Sequence, residues 1–157
     1  LTTPEHLFAF GFGAGLAPVA PGTFGTLVGV PFFLALAWLP WQGYLLATVL
    51  LFAFGCWACG ASSRLLQVHD YPGFVFDEIV GFVITCVPLL PALGLWEPPL
   101  ALGLLAGFAL FRLFDVLKPW PIRVLDDHVH GGLGIMLDDA AAGLAAAGSL
   151  WGLSVLI

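Results

Sequence analysis

Six carboxylates are spaced along the second half of this chain in positions that could do chemistry together: Asp77-Glu78, Asp115, Asp126 and Asp138-Asp139. Three cations, Arg112, Lys118 and Arg123, are interleaved with them. Carboxylates crowded beside apolar segments repel one another unless a cation neutralises them. An oxygen-rich donor set suits a hard divalent ion such as magnesium. Arg and Lys among such groups suggest an anionic substrate, with phosphate the natural choice. Asp77 and Glu78 open an apolar stretch, so they fit equally well as an N-cap and first-turn acid at the positive end of a helix. Arg112, Asp115 and Lys118 recur every third residue, which puts them on one helical face. That face is a charged stripe on an otherwise apolar helix bearing Phe111, Phe114 and Leu117. Ionisable groups in such a setting usually face the bundle interior and carry function, although an ion-pair ladder of snorkelling cations would look similar.

Two further features join this set. His128-x-His130 has an alternation that could hold zinc on a strand, but oxygen ligands outnumber it. The glycines from Gly131 to Gly134 read as a turn that brings Asp126 and His130 back towards Asp138 and Asp139, which would then open the last helix. Upstream, the stretch from Gly11 to Thr26 is too rich in Gly and Pro for a plain helix. It is expected to be a re-entrant or interfacial segment, whose backbone N–H groups around Pro21-Gly22-Thr23 could form an anion nest.

The elements that must position these residues are membrane helices. Of 157 residues, 61% are hydrophobic and 9% charged, whereas soluble domains run to about 25% charged. Mean hydropathy is +1.05. No Asp, Glu, Lys or Arg occurs between Glu5 and Arg64. About 20 apolar residues cross a bilayer as a helix, and on that scale the chain reads as an all-α polytopic bundle of four to five spans. They are expected at about 24–39, 44–61, 78–95, 99–118 and 139–157, with Pro31, Pro88 and Pro91 kinking them. One domain covers residues 1–157. Trp38 and Trp41 fall where interfacial aromatics belong.

With turns at Pro40-Trp41-Gln42 and Trp96-Glu97-Pro98-Pro99, the polar chemistry becomes one-sided. Asp70, Asp77, Glu78, Asp115, Asp126, Asp127, Asp138 and Asp139 share a face with Arg64, Arg112, Lys118 and Arg123, leaving Glu97 opposite. Basic residues mark that face as cytoplasmic. The net charge of −6 disfavours a nucleic-acid partner. Cys56, Cys59 and Cys86 lie in apolar stretches and read as buried structural thiols. No cleavable leader is expected from Leu1-Thr2-Thr3-Pro4-Glu5, which lacks a basic stretch.

Three motifs in this order resemble the phosphatidylglycerophosphatase A family. They are Gly15-Leu16-Ala17-Pro18-Val19-Ala20-Pro21-Gly22-Thr23-Phe24-Gly25-Thr26; Val75-Phe76-Asp77-Glu78-Ile79-Val80-Gly81; and Phe111-Arg112-Leu113-Phe114-Asp115-Val116-Leu117-Lys118-Pro119-Trp120-Pro121-Ile122-Arg123, continuing through Asp126, Val129-His130-Gly131-Gly132 and Gly134-Ile135-Met136-Leu137-Asp138-Asp139. The resemblance spans nearly the whole chain. It implies a bacterial inner-membrane enzyme that hydrolyses phosphatidylglycerophosphate to phosphatidylglycerol and phosphate with magnesium. It also implies a helical bundle around a buried central helix. Asp77, Glu78, Asp115, Asp126, Asp138 and Asp139 match the family's acids; Arg112, Lys118, Arg123 and His130 match its basic residues. Asp127 and His128 fall at variable positions.

The expected site therefore has Asp77, Glu78, Asp115 and Asp139 holding one or two magnesium ions, assisted by Asp138 and Asp126. Arg112, Lys118, Arg123 and Thr23 bind phosphate, and His130 or a spare carboxylate acts as general acid. A metal-activated water and an aspartyl-phosphate intermediate both fit. A small ion transporter is the rival from another class, but transport sites lie near the midplane and these acids lie at span ends.

Overall fold

The computed structural model describes residues 3–68 and 71–156. These are helical throughout their regular elements, with no strand among the described residues. Seven α-helices follow in order: α1 (Pro4–Ala9), α2 (Pro21–Leu36), α3 (Trp41–Leu66), α4 (Phe76–Thr85), α5 (Leu100–Leu117), α6 (Ile122–His128) and α7 (Gly131–Leu156). Single 3₁₀ segments cover Gly11–Leu16, Val87–Leu89 and Pro91–Leu93.

α4 is the centre. Eight of its ten residues are buried, and α2, α3, α5 and α7 pack around it. Its approach to α7 is close because two glycines meet: Gly143 lies against the Gly81 carbonyl, and a Cβ on Gly81 would fall 2.9 Å from the carbonyl oxygen of Asp139. Thr85 ties the same crossing, its hydroxyl donating to the carbonyls of Gly81 at 3.0 Å and Gly143 at 3.4 Å. In the same C-terminal half of α4 the Tyr44 hydroxyl donates to the Val83 carbonyl at 2.6 Å. That carbonyl belongs to the last turn of α4, where intrahelical partners run out.

The third expected span, 78–95, is corrected by this structure. Proline removes an N–H donor and disfavours helix in the residue before it, so Pro88 and Pro91 end α4 and start 3₁₀ turns rather than kinking a continuous helix. Ten residues rise only about 15 Å. Pro31, in contrast, stays inside α2. Among the described residues three helices, α3, α5 and α7, are long and apolar enough to cross a membrane, and α2 is apolar but shorter. Leu46, Val49 and Leu50 on α3, Leu105 on α5, and Leu144 and Val155 on α7 are exposed. An exposed apolar surface of that extent is what hydrocarbon covers. This is a membrane protein.

The N-terminal region folds as α1, and its Gly/Pro-rich stretch from Gly11 to Thr26 as the 3₁₀ turn and the start of α2. It packs on the chain leading into α4: the Val75 amide donates to the Ala9 carbonyl at 2.9 Å. His6 and the buried Ser62 hydroxyl, 2.9 Å apart, tie α1 to the end of α3. Cys59 and Cys86 are buried and Cys56 is half-buried, and none of the three forms a disulfide.

Candidate active site

Helix direction gathers the site. α2, α4 and α7 start, and α3 and α5 end, at the same end of the bundle. α4 begins there with Phe76-Asp77-Glu78, and the Glu78 amide donates to Asp77 Oδ1 at 3.0 Å. The N-cap of α4 is Val75, with no side-chain cap bond, so Asp77 is a first-turn acid beside Glu78 and the capping reading of Asp77 is corrected. α7 contributes Asp139, and single ligand oxygens of Asp77, Glu78 and Asp139 all lie within 4.8 Å of one another. Asp139 also hydrogen-bonds with Asp115 from the last turn of α5. Among the described residues, Glu78 Oε2 and Asp139 Oδ2 are buried with no hydrogen-bond partner. A buried charged oxygen without a partner is costly. Such a set fits a divalent cation, which would take up these oxygens together.

Arg112, one turn before the end of α5, serves this cluster. Its guanidinium pairs with Asp115 on its own helix, and Nη1 stands 3.8 Å from Glu78 Oε1. The first turn of α2 closes over both groups. A Cβ on Gly22 would overlap the Glu78 carboxylate and come within 3.0 Å of Arg112 Nη1. Only a glycine lets the positive end of α2 approach so closely. Thr23 is half-buried in that turn, and its amide is already used, donating to the Ala20 carbonyl at 3.0 Å.

A second group of charges lies beside the first. Lys118 caps α5 in a left-handed conformation, φ +42°. Its Nζ contacts Asp138 Oδ2 at 2.7 Å and Asp126 Oδ1 at 3.0 Å. Burial works against the ammonium charge, but the bonds to Asp138 and then Asp126 outweigh it and hold the pKa above the ordinary lysine value. Arg123 and His130 are exposed around this end of the bundle.

A model of the phosphatidylglycerophosphatase A family matches residues 7–154 of the chain. A phosphatidylglycerophosphatase A from Escherichia coli K12 is 42% identical over 96% of this chain and 84% of its own length. The chain belongs to the phosphatidylglycerophosphatase A family. The protein of that name from Haemophilus influenzae is also 42% identical, over 93% of this chain and 86% of its own. A Bacteroides thetaiotaomicron protein, named as a candidate phosphatidylinositol-3-phosphatase, is 36% identical over 88% of this chain and 86% of its own. No solved structure matches. Members of the phosphatidylglycerophosphatase A family are phosphatases, so this chain is a hydrolase.

For this family member the structure brings Asp77, Glu78, Asp115, Asp139 and Arg112 together and sets Asp126, Asp138 and Lys118 apart as their own cluster. Two local expectations are corrected. Asp138 and Asp139 do not open the last helix but are its eighth and ninth residues, because Gly131–Leu156 is helical from its first glycine. Gly132 and Gly134 are packing residues there: a Cβ on either would overlap the carbonyl of Cys56 or of Val129. His128 ends α6 rather than lying on a strand, and its Nδ1 bonds the Val124 carbonyl at 2.9 Å. The zinc geometry is therefore absent. Asp127 is exposed beside it, and Asp70 lies outside the described residues. Sequence reading did not anticipate Gly22 as the wall over Glu78 and Arg112; its position in a Gly-Thr-rich motif was the available signal.

Proposed function

We propose that this protein hydrolyses the phosphomonoester of phosphatidylglycerophosphate, releasing phosphatidylglycerol and inorganic phosphate. The reaction takes place at the cytoplasmic face of the bacterial inner membrane. The observation that carries this reading is the convergence of Asp77, Glu78 and Asp139 around oxygens that lack partners, with Arg112 at their edge. The names of the 42% identical relatives supply the substrate. The basic residues gathered at the site end, including Arg64 and Arg123, support a cytoplasmic orientation.

The all-oxygen donor set of Asp77, Glu78 and Asp139, with Asp115 adjoining and Asp138 turned aside to Lys118, suits magnesium. Magnesium supplies, when bound, Lewis-acid polarisation of a phosphoryl oxygen and a more acidic water. Arg112, held by Glu78 and Asp115, offers guanidinium N–H groups to the remaining phosphate oxygens, where charge grows in the transition state. Thr23 and Arg123 flank the phosphate. As a water oxygen bonds to phosphorus and the bond to the glycerol oxygen breaks, that oxygen needs a proton, which His130 delivers. The buried setting of α4 keeps bulk water from the acids beneath.

The test is phosphate release by the purified protein from phosphatidylglycerophosphate, phosphatidic acid and phosphatidylinositol 3-phosphate, in chelator and with magnesium restored. Turnover of phosphatidylglycerophosphate that disappears in chelator and returns with magnesium is expected. Full activity in chelator would sink the magnesium assignment. Preference for the inositol lipid would move this chain towards the function named for the Bacteroides relative.

A further inference from the structure

Asp138 and Asp139 are neighbours on α7, and successive residues of a helix point about 100° apart. Asp139 turns to the α4 acids. Asp138 turns to Lys118, which it meets at 2.7 Å, and its other oxygen, Oδ1, is buried without a partner. Lys118 reaches this place from an unusual backbone: φ +42° is a left-handed conformation that few non-glycine residues adopt. That turn swings the ammonium back between Asp126 of α6 and Asp138 of α7. The Asp138 side chain is only 8% exposed, against 39% for Asp126. The buried partner dominates, because charge pairing is screened least where water is excluded.

We propose that Lys118 is a positioning residue that engages Asp138 and binds α6 to α7, so that Asp139 alone of this acidic pair joins Asp77 and Glu78. The inference rests on the phosphatase reading above and assigns Lys118 a task other than phosphate binding. Its ammonium has two carboxylate partners already, and a phosphate would have to displace them. Without Lys118, Asp138 becomes a buried carboxylate with no counter-charge beside a cluster that is already acidic, and α6 loses its tie to α7. Removing one partner of a buried pair is far more damaging than removing both.

The experiment compares Lys118→Met, Asp138→Asn and the double variant with the unaltered full chain. It reads kcat and KM with magnesium on the lipid phosphomonoester, and melting temperature in chelator. Lys118→Met is expected to lower kcat by about tenfold, a coupling typical of residues in direct contact, while KM stays within about twofold. Adding Asp138→Asn recovers most of that loss, and the metal-free melting temperature drops and recovers in the same pattern. A rise in KM at unchanged kcat identifies a phosphate ligand and overturns the proposal. Additive losses in the double variant overturn it as well, since Asp138 would then act in the cluster by itself. So does a melting shift at unchanged kcat, the mark of a merely structural tie. If the unaltered chain releases phosphate from no lipid, the phosphatase reading falls. The melting pattern then decides the Lys118–Asp138 coupling, which falls too unless the double variant recovers.

Discussion

Arg112 on α5 reaches Glu78 on α4, Nη1 to Oε1 at 3.8 Å, while pairing with Asp115 on its own helix. The guanidinium therefore lies at the edge of the carboxylate cluster, joining the successive helices α4 and α5. A planar fork with several N–H donors can hold carboxylates on one side and phosphate on another. Arg112→Ala should lower kcat by about 100-fold or more, the usual loss when a transition-state donor is removed. Arg112→Lys should recover only part, because an ammonium cannot span the same partners. Phosphate release, with circular dichroism to show the fold retained, checks both.

Asp139 tests the metal. Its Asn variant removes one of the crowded charges at nearly constant shape, so the protein in chelator should become more stable. A rise in melting temperature of about 2–4 °C corresponds to relieving roughly 1 kcal/mol in a chain of this size. Magnesium should raise the melting temperature of the unaltered protein by mass action and leave the variant nearly unmoved. Turnover should be lost in Asp139→Asn.

Gly22 tests how closely α2 must approach. Gly22→Ala puts a methyl group onto the Glu78 carboxylate and 3.0 Å from Arg112 Nη1. One of these functional groups must shift, and kcat should fall by about tenfold, since small misplacements near reacting groups cost that much or more. Gly148→Ala on α7 is the control, for nothing lies within 4 Å of its added Cβ. There the gain in helix propensity should stabilise by about 0.5–1 kcal/mol. Melting curves and phosphate release on the two variants separate the effects.

Tyr44 tests the end of the bundle opposite the site. Tyr44→Phe deletes the hydroxyl that donates to the Val83 carbonyl and leaves that buried oxygen unpaired. A stability loss of about 1–3 kcal/mol is expected, with kcat and KM unchanged. A large fall in kcat would mean that α4 transmits strain along its length to Asp77 and Glu78.

Composition by itself determined that this is a membrane protein, because a surface this poor in charge has no soluble alternative. The third-residue spacing of Arg112 and Asp115 determined that they share a face of one helix, whereas Lys118 falls at the left-handed C-cap of that helix and turns to Asp126 and Asp138; span order determined that the acids collect at one end. Boundaries were less legible. The glycines at 131, 132 and 134 signal a turn locally, yet they are helix here, with Gly132 pressed against the Cys56 carbonyl of α3 and Gly134 against the Val129 carbonyl, where a Cβ would not fit. The 78–95 stretch is apolar enough to span, yet its prolines leave a ten-residue helix at the centre. Which acids act together was decided only by the tertiary structure. Adjacent residues Asp138 and Asp139 are indistinguishable in sequence, but a helix turns them to different neighbours, one to Lys118 and one to Asp77 and Glu78. The partners of a helical residue lie on other helices, and their distances are set by packing, which local spacing does not encode.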